Sequence, residues 1–314
     1  MPPSLEKRAL PTKISIVVPI YNESNGITEC LQRIVTVVKP IGIDWEIVCI
    51  DDGSTDDTLS KLTSYHGNYS NVKVISLSRN FGKEVALSAG LDHAEGEVVI
   101  PIDSDLQDPP ELISDMIKKW QEGFDVVLAV RNPSPHTQSL RVLSAKLFYL
   151  LIDKISDIKI TKNTGDFRLL DRKVVEAIRQ MPERTRFMKG IMSWAGFRTS
   201  HIYFDRPLRR EGQSRWSFIQ LLKLAADGIF SFSSYPVRFI GLAGGCLLTC
   251  SILAFLWAGL FSSYDSLYTL VFNATLFICG VNLLAIWLVG EYVVRISQDV
   301  RQRPLYVIDH KIGY

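Results

Sequence analysis

Glu97-Val-Val-Ile-Pro-Ile102, followed at once by Asp103-Ser-Asp-Leu-Gln107, is a short β-branched run that ends in acids. Four more runs of this kind precede or follow it: Ile14-Ser-Ile-Val-Val-Pro-Ile20, Glu46-Ile-Val-Cys-Ile50, Val72-Lys-Val-Ile-Ser-Leu77 and Phe124-Asp-Val-Val-Leu-Ala-Val130. Amphipathic stretches separate them, and such alternation predicts an α/β fold, a mostly parallel sheet flanked by helices. Helix starts are marked as well. Ser54-Thr-Asp-Asp57 is a capping-box pattern, and Asp108-Pro109 offers an N-cap followed by proline at the first helical position. A further strand is expected over Phe167 to Leu170.

In such a sheet, ligands sit beyond the carboxyl ends of the strands. There the sequence places Tyr21-Asn-Glu23, Asp51-Asp-Gly-Ser54, Ser78-Arg-Asn-Phe-Gly-Lys83 and Asp103-Ser-Asp-Leu-Gln107. No G-x-G-x-x-G and no Walker lysine loop occurs, so a dinucleotide dehydrogenase or a P-loop enzyme has no support. Residues two apart in an extended segment face one side, so Asp103 and Asp105 are expected to point together. Two carboxylates about 4 Å apart repel by roughly 4 kcal/mol at an effective dielectric of about 20, which demands a shared proton or a cation. Mg²⁺, which completes its shell with water and substrate phosphates, answers that demand. The plainer alternative is that these acids cap the helix beginning near Pro109.

Charge is distributed unevenly. The chain has 314 residues with 35 Lys+Arg against 33 Asp+Glu, a net charge of +2 that excludes the broad basic footprint of a nucleic-acid binder. From Phe239 to Gly290 the only charged residue is Asp265. Phe239 to Phe261 and Leu267 to Gly290 are about 23 and 24 uncharged residues, each enough to span a bilayer of roughly 30 Å as a helix. The loop 262–266 lacks Lys and Arg, whereas Arg238 precedes the first run and Arg295, Arg301 and Arg303 follow the second. That bias predicts both chain ends in the cytoplasm. Trp216 to Phe232 reads as a helix lying on the bilayer surface, and Leu140 to Ile155 as either a similar helix or an ordinary core helix. The expected domains are 1–205, a cytosolic catalytic domain; 206–238, an interfacial region; 239–290, a two-helix transmembrane hairpin; and 291–314, a cytosolic tail. Met1 to Lys13 has no signal-peptide core. The five cysteines show no metal-ligand spacing and are expected as buried thiols.

Val17-Val-Pro-Ile-Tyr-Asn-Glu23, Ile50-Asp-Asp-Gly-Ser-Thr-Asp56, Asp103-Ser-Asp-Leu-Gln107 and Thr164-Gly-Asp-Phe-Arg168, in this order, resemble the family-two glycosyltransferases of GT-A fold. Arg209-Arg-Glu-Gly-Gln-Ser-Arg-Trp-Ser217, the two terminal apolar runs and Arg303-Pro-Leu-Tyr306 resemble the polyprenyl-phosphate branch, which includes bactoprenol glucosyltransferases and dolichyl-phosphate mannose synthases. The resemblance implies that Pro19, Tyr21, Glu23, Asp52 and Asp103 hold the donor nucleotide sugar. It also implies that Asp103, Asp105 and Gln107 hold Mg²⁺ or Mn²⁺, and that Asp105 and Asp166 are catalytic. Lys83 is a candidate for the donor phosphates or a helix-surface charge. Glu23 also reads as a solvated charge and Asp52 as a turn residue. Arg131, Arg141, Arg209, Arg210 and Arg215 suit a lipid phosphate, since guanidinium forks match phosphate oxygens, or simply anionic lipid heads. A phosphate whose second pKa is about 6 scarcely needs a base, so Asp166 is expected to position the acceptor.

The function so implied is transfer of one sugar to polyprenyl phosphate, with inversion, at the cytosolic face of a bacterial-type inner membrane. The donor implied is UDP-glucose, and the product a lipid-linked sugar for cell-envelope glycans such as lipopolysaccharide. Two alternatives stand: a processive polysaccharide synthase, although Gln213-Ser-Arg-Trp216 is one residue short of Q-x-x-R-W, and a non-catalytic membrane adaptor or lipid-translocation partner. Partners are therefore donor, acceptor lipid and bilayer, with a homo-oligomer left open.

Overall fold

The computed structural model describes residues 7–105, 107–132, 164–181, 188–205, 264–300 and 303–314. The chain divides into two compact units: Met1–Tyr149, Ile158–Phe218 and Pro304–Tyr314 in one, and Leu150–Asp157 and Ile219–Arg303 in the other.

The first unit is an α/β sheet structure. Its strands are β1 (Lys13–Ile20), β2 (Asp44–Asp51), β3 (Val72–Leu77), β4 (Val98–Pro101), β5 (Val126–Arg131), β6 (Thr164–Asp171), β7 (Thr199–Phe204) and β8 (Ile308–Ile312). Its helices are α1 (Ile27–Val38), α2 (Thr58–Asn68), α3 (Lys83–His93), α4 (Ile113–Gln121), α5 (Arg172–Arg179) and α6 (Met188–Trp194). The sheet order is β7-β5-β6-β4-β1-β2-β3-β8. The block β4-β1-β2-β3 is parallel, as expected. The sheet as a whole is mixed: β6 runs antiparallel between β4 and β5, and β8 antiparallel on β3. An antiparallel insert turns the beginning of β6, rather than its end, toward the rim where β4 stops.

Strand alternation builds the core. Ile14, Ile16, Val18 and Ile20 of β1 share one buried cluster with Leu31 and Ile34 of α1, Leu62 of α2 and Met116 and Trp120 of α4. On the other face α3 lies so close to β1 that a Cβ at Gly90 would overlap Val17 Cγ1. The tail continues this unit. β8 covers the outer edge of β3, Ser78 N donates to Val307 O (2.9 Å), and Tyr306 Oη donates to Asp92 Oδ2 (2.9 Å). Covering an otherwise open edge removes a row of unpaired backbone groups.

Two expected helix caps are differently made. α2 starts at Thr58 without a bond from Asp57; Asp56 Oδ1 instead accepts from Thr58 N (3.0 Å) and Thr58 Oγ1 (2.5 Å). Before α4 a 3₁₀ turn, Pro110–Leu112, follows Pro109 with no side-chain cap, and Asp108 is engaged by Arg131 instead.

In the second unit one helix, α7 (Tyr264–Val300), runs for 37 residues and contains the second uncharged stretch. Among the residues described in full, no helix is long and apolar enough to cross a membrane; several side chains of α7 fall outside them. The first uncharged stretch and the surface helices expected over 140–155 and 216–232 lie outside the described residues.

Candidate active site

The loops that follow β1 and β2 are sewn together. Asn22, the one non-glycine residue with positive φ (52°) among those described, donates its backbone N–H to Ser54 Oγ (3.0 Å) and accepts at Oδ1 from Thr55 N (2.8 Å). Asparagine tolerates this left-handed conformation better than most residues. Glu23 N donates to Thr58 Oγ1 (3.0 Å). Tyr21 stands at the same rim with its side chain exposed, just beyond Pro19 of β1. Asp52 is buried, and its two oxygens accept from Phe81 N (2.8 Å) and Gly82 N (2.9 Å). Burial raises its pKa, against the lowering by these two amides. Asp52 thus clamps the turn that launches α3. Gly53 (φ 67°) lets the two loops touch, since a Cβ there would fall 2.7 Å from Asn80 N.

That clamp aims the first residue of α3 across the rim. Lys83 Nζ lies 2.6 Å from Asp103 Oδ1 and 2.6 Å from Asp166 Oδ2. The two acids meet because β4 and β6 pair Val98 with Asp171 and Val99 with Leu170, a register whose continuation brings 103 opposite 166. Burial works to lower the Lys83 pKa, but Asp103 and Asp166 outweigh it and hold the ammonium well above the usual lysine range. Burial raises the Asp103 pKa, with Asp166 adding and Lys83 opposing.

Asp105 departs from expectation. β4 ends at Pro101 and Ser104–Asp105 form a turn, so the alternation rule for extended chain does not apply to this pair. Asp105 Oδ1 accepts from Gln107 N (3.2 Å), and Gln107 is buried beside it. Among the described residues no group of three or more His, Cys, Asp or Glu side chains forms a metal cage. The donor set of Asp103, Asp105 and Gln107 nevertheless suits a hard cation that takes only one or two carboxylates from protein and the rest from phosphates and water. An ammonium already bridging Asp103 shows that this rim accommodates positive charge.

Around Asp166 two arginines were not given this part by sequence reasoning. Arg168, buried within β6, donates from Nη2 to Gly165 O (2.7 Å), and burial lowers its pKa against Asp166 and Glu84. Arg131 Nη2 pairs with the buried Asp108 Oδ1 (3.1 Å), and a Cβ at Gly165 would lie 2.8 Å from that same Nη2. Gly165 is held between two guanidiniums, which fixes the backbone beside Asp166. An arginine inside an otherwise apolar strand motif is the signal that could have shown it. Arg141, Arg209, Arg210 and Arg215 lie outside the described residues.

Strand-end acids thus converge on one lysine at the rim of a mixed sheet. Residues 15–179, slightly more than half of the chain, match the family described as Glycosyl transferase family 2, and the chain belongs to that family. Among its relatives, an uncharacterized glycosyltransferase of Synechocystis sp. is 44% identical over 305 residues, covering 96% of each chain. The SfII prophage-derived bactoprenol glucosyl transferase of Shigella flexneri is 42% identical over 300 residues, 94% of this chain and 97% of that one. A prophage bactoprenol glucosyl transferase homolog of Escherichia coli K12 is 40% identical over 300 residues, 94% and 98% respectively.

Proposed function

We propose that this chain transfers a single glucose from UDP-glucose to polyprenyl phosphate, with inversion, at the cytosolic face of a bacterial-type inner membrane. The reading is carried by the Asp103–Lys83–Asp166 cluster at the strand ends. Near full-length alignment with proteins named bactoprenol glucosyl transferases supports the acceptor and the sugar. In this mechanism Pro19, Tyr21, Glu23 and Asp52 border the nucleoside, and Asp103, Asp105 and Gln107 would hold a divalent cation. That cation, when bound, supplies positive charge for the departing diphosphate. A lipid-phosphate oxygen attacks the anomeric carbon in line with the leaving UDP, and Asp166 aligns the attack. Arg131, with Arg141, Arg209, Arg210 and Arg215, holds the acceptor phosphate near the bilayer.

The membrane hairpin over 239–290 belongs to the same proposal, with domain limits 1–205, 206–238, 239–290 and 291–314. α7 supports it, because Phe277 (56% exposed) and Ile286 (67%) lie on opposite sides of the helix at about 100° per residue. A helix that is apolar all round needs lipid or protein about it.

The test is full-length protein in detergent with Mg²⁺ or Mn²⁺, radiolabelled UDP-glucose and undecaprenyl phosphate. One labelled lipid bearing a single inverted glucosyl group is expected. A ladder of products, or no turnover with any sugar nucleotide, would overturn the reading.

A further inference from the structure

We infer that Lys83 is a built-in counterion which a divalent cation must displace from Asp103, so that donor loading moves its ammonium from the two carboxylates to the donor diphosphate. This rests on the reading above that Asp103 is a metal ligand. Lys83, from the start of α3, bridges carboxylates carried by the segment after β4 and by β6, at 2.6 Å from each. The three side chains are 37%, 24% and 12% exposed for Lys83, Asp103 and Asp166, so the cluster opens to the rim and is not sealed in the core. Mg²⁺ binds oxygen at about 2.0–2.1 Å, closer than an ammonium approaches, so a cation held by Asp103 would bring a double charge up to the carboxylate that Lys83 now occupies. Two cations on one small carboxylate repel each other, and when the divalent cation arrives that repulsion would drive the ammonium off Asp103. It is a compact charge on a flexible four-carbon stem, and a diphosphate offers new anionic partners within the reach of such a stem.

Two consequences follow. The empty enzyme resists a bare cation, because Lys83 competes for Asp103. Metal and donor then bind cooperatively, since the diphosphate gives the displaced ammonium a partner. Lys83 variants should therefore bind metal better while transferring sugar worse, opposite signs that a purely structural lysine would not produce.

The experiment titrates full-length protein in detergent with Mn²⁺ alone, counting free ion by its electron paramagnetic resonance signal, and then repeats it with UDP. Lys83→Gln and Lys83→Met are expected to tighten binding of Mn²⁺ alone by about tenfold or more, and Lys83→Arg to leave it weak. Glutamine can still hydrogen-bond both acids, which keeps the test valid if the methionine variant does not fold. Addition of UDP should tighten Mn²⁺ strongly in wild type and less in Lys83→Gln. Unchanged or weaker Mn²⁺ binding in the neutral variants, with cooperative thermal melts intact, would overturn the exchange while leaving the metal site standing. Mn²⁺ binding that survives Asp103→Asn would overturn the metal site itself and the exchange with it.

Discussion

Asp166 pairs with Lys83 (2.6 Å), and the carbonyl of its neighbour Gly165 accepts from Arg168. If Asp166 aligns a lipid phosphate that is already ionised, Asp166→Asn should lower transfer by about 10²-fold. Binding of UDP-glucose, followed by calorimetry, should not weaken, because every proposed nucleoside and metal ligand is retained. The rate loss should also vary little from about pH 7 to 9, since a phosphate with second pKa about 6 is deprotonated throughout. Loss of donor binding would place Asp166 in the nucleotide site, and rescue at high pH would make it a general base. At this scale the sequence names the acids at the strand ends but not which side chains they meet. Asp103 reads as a residue needing a cation, and its observed neighbours are Lys83, aimed by the turn before α3, and Asp166, brought opposite by strand register. Asp108 reads as a cap because proline follows it, but a buried carboxylate gains more from a guanidinium than from backbone amides, and Arg131 takes it.

Among the elements, α3 is the one whose placement the site depends on most, since Lys83 is its first residue and Gly90 its contact with β1. Gly90→Ala puts a methyl group into Val17 Cγ1, and overpacking of this kind costs about 1–3 kcal/mol. Chemical denaturation should read that loss, and Val17→Ala in the same chain should recover part of it, because the two residues share one space. Independent, additive losses would show that α3 shifts away from β1 instead. Five strands are legible in the sequence because β-branched runs of this length, bounded by polar loops, suit little else, and a sixth is expected over Phe167 to Leu170. β7 and β8 are not: Thr-Ser-His-Ile-Tyr-Phe and Ile-Asp-His-Lys-Ile are polar, partly exposed edge segments whose pairing is decided by distant partners. Nor is the mixed character of the sheet legible, since hydrophobic pattern reports which residues are buried and not the direction of the neighbouring strand.

Over the whole molecule, β8 constrains how the chain can run. The first unit is left at Phe218 and rejoined at Pro304, where the tail adds its strand to β3. Both ends of the intervening segment therefore belong to the unit that carries Lys83, Asp103 and Asp166. A chain that lies across a bilayer between two points on one side must cross it an even number of times. Two uncharged runs of about 23 and 24 residues, joined by a loop without Lys or Arg, satisfy this, and the positive charges outside them favour the cytoplasm. This predicts that a cysteine at Ser263 reacts with a membrane-impermeant maleimide in intact cells, while one at Ser64, exposed on α2, reacts only after the cells are opened. Labelling of both positions from outside would put the catalytic unit on the far side, away from cytosolic sugar nucleotides. Labelling of neither in intact cells, with both reactive in lysate, would mean that the apolar segments lie on or within one leaflet and the hairpin does not cross.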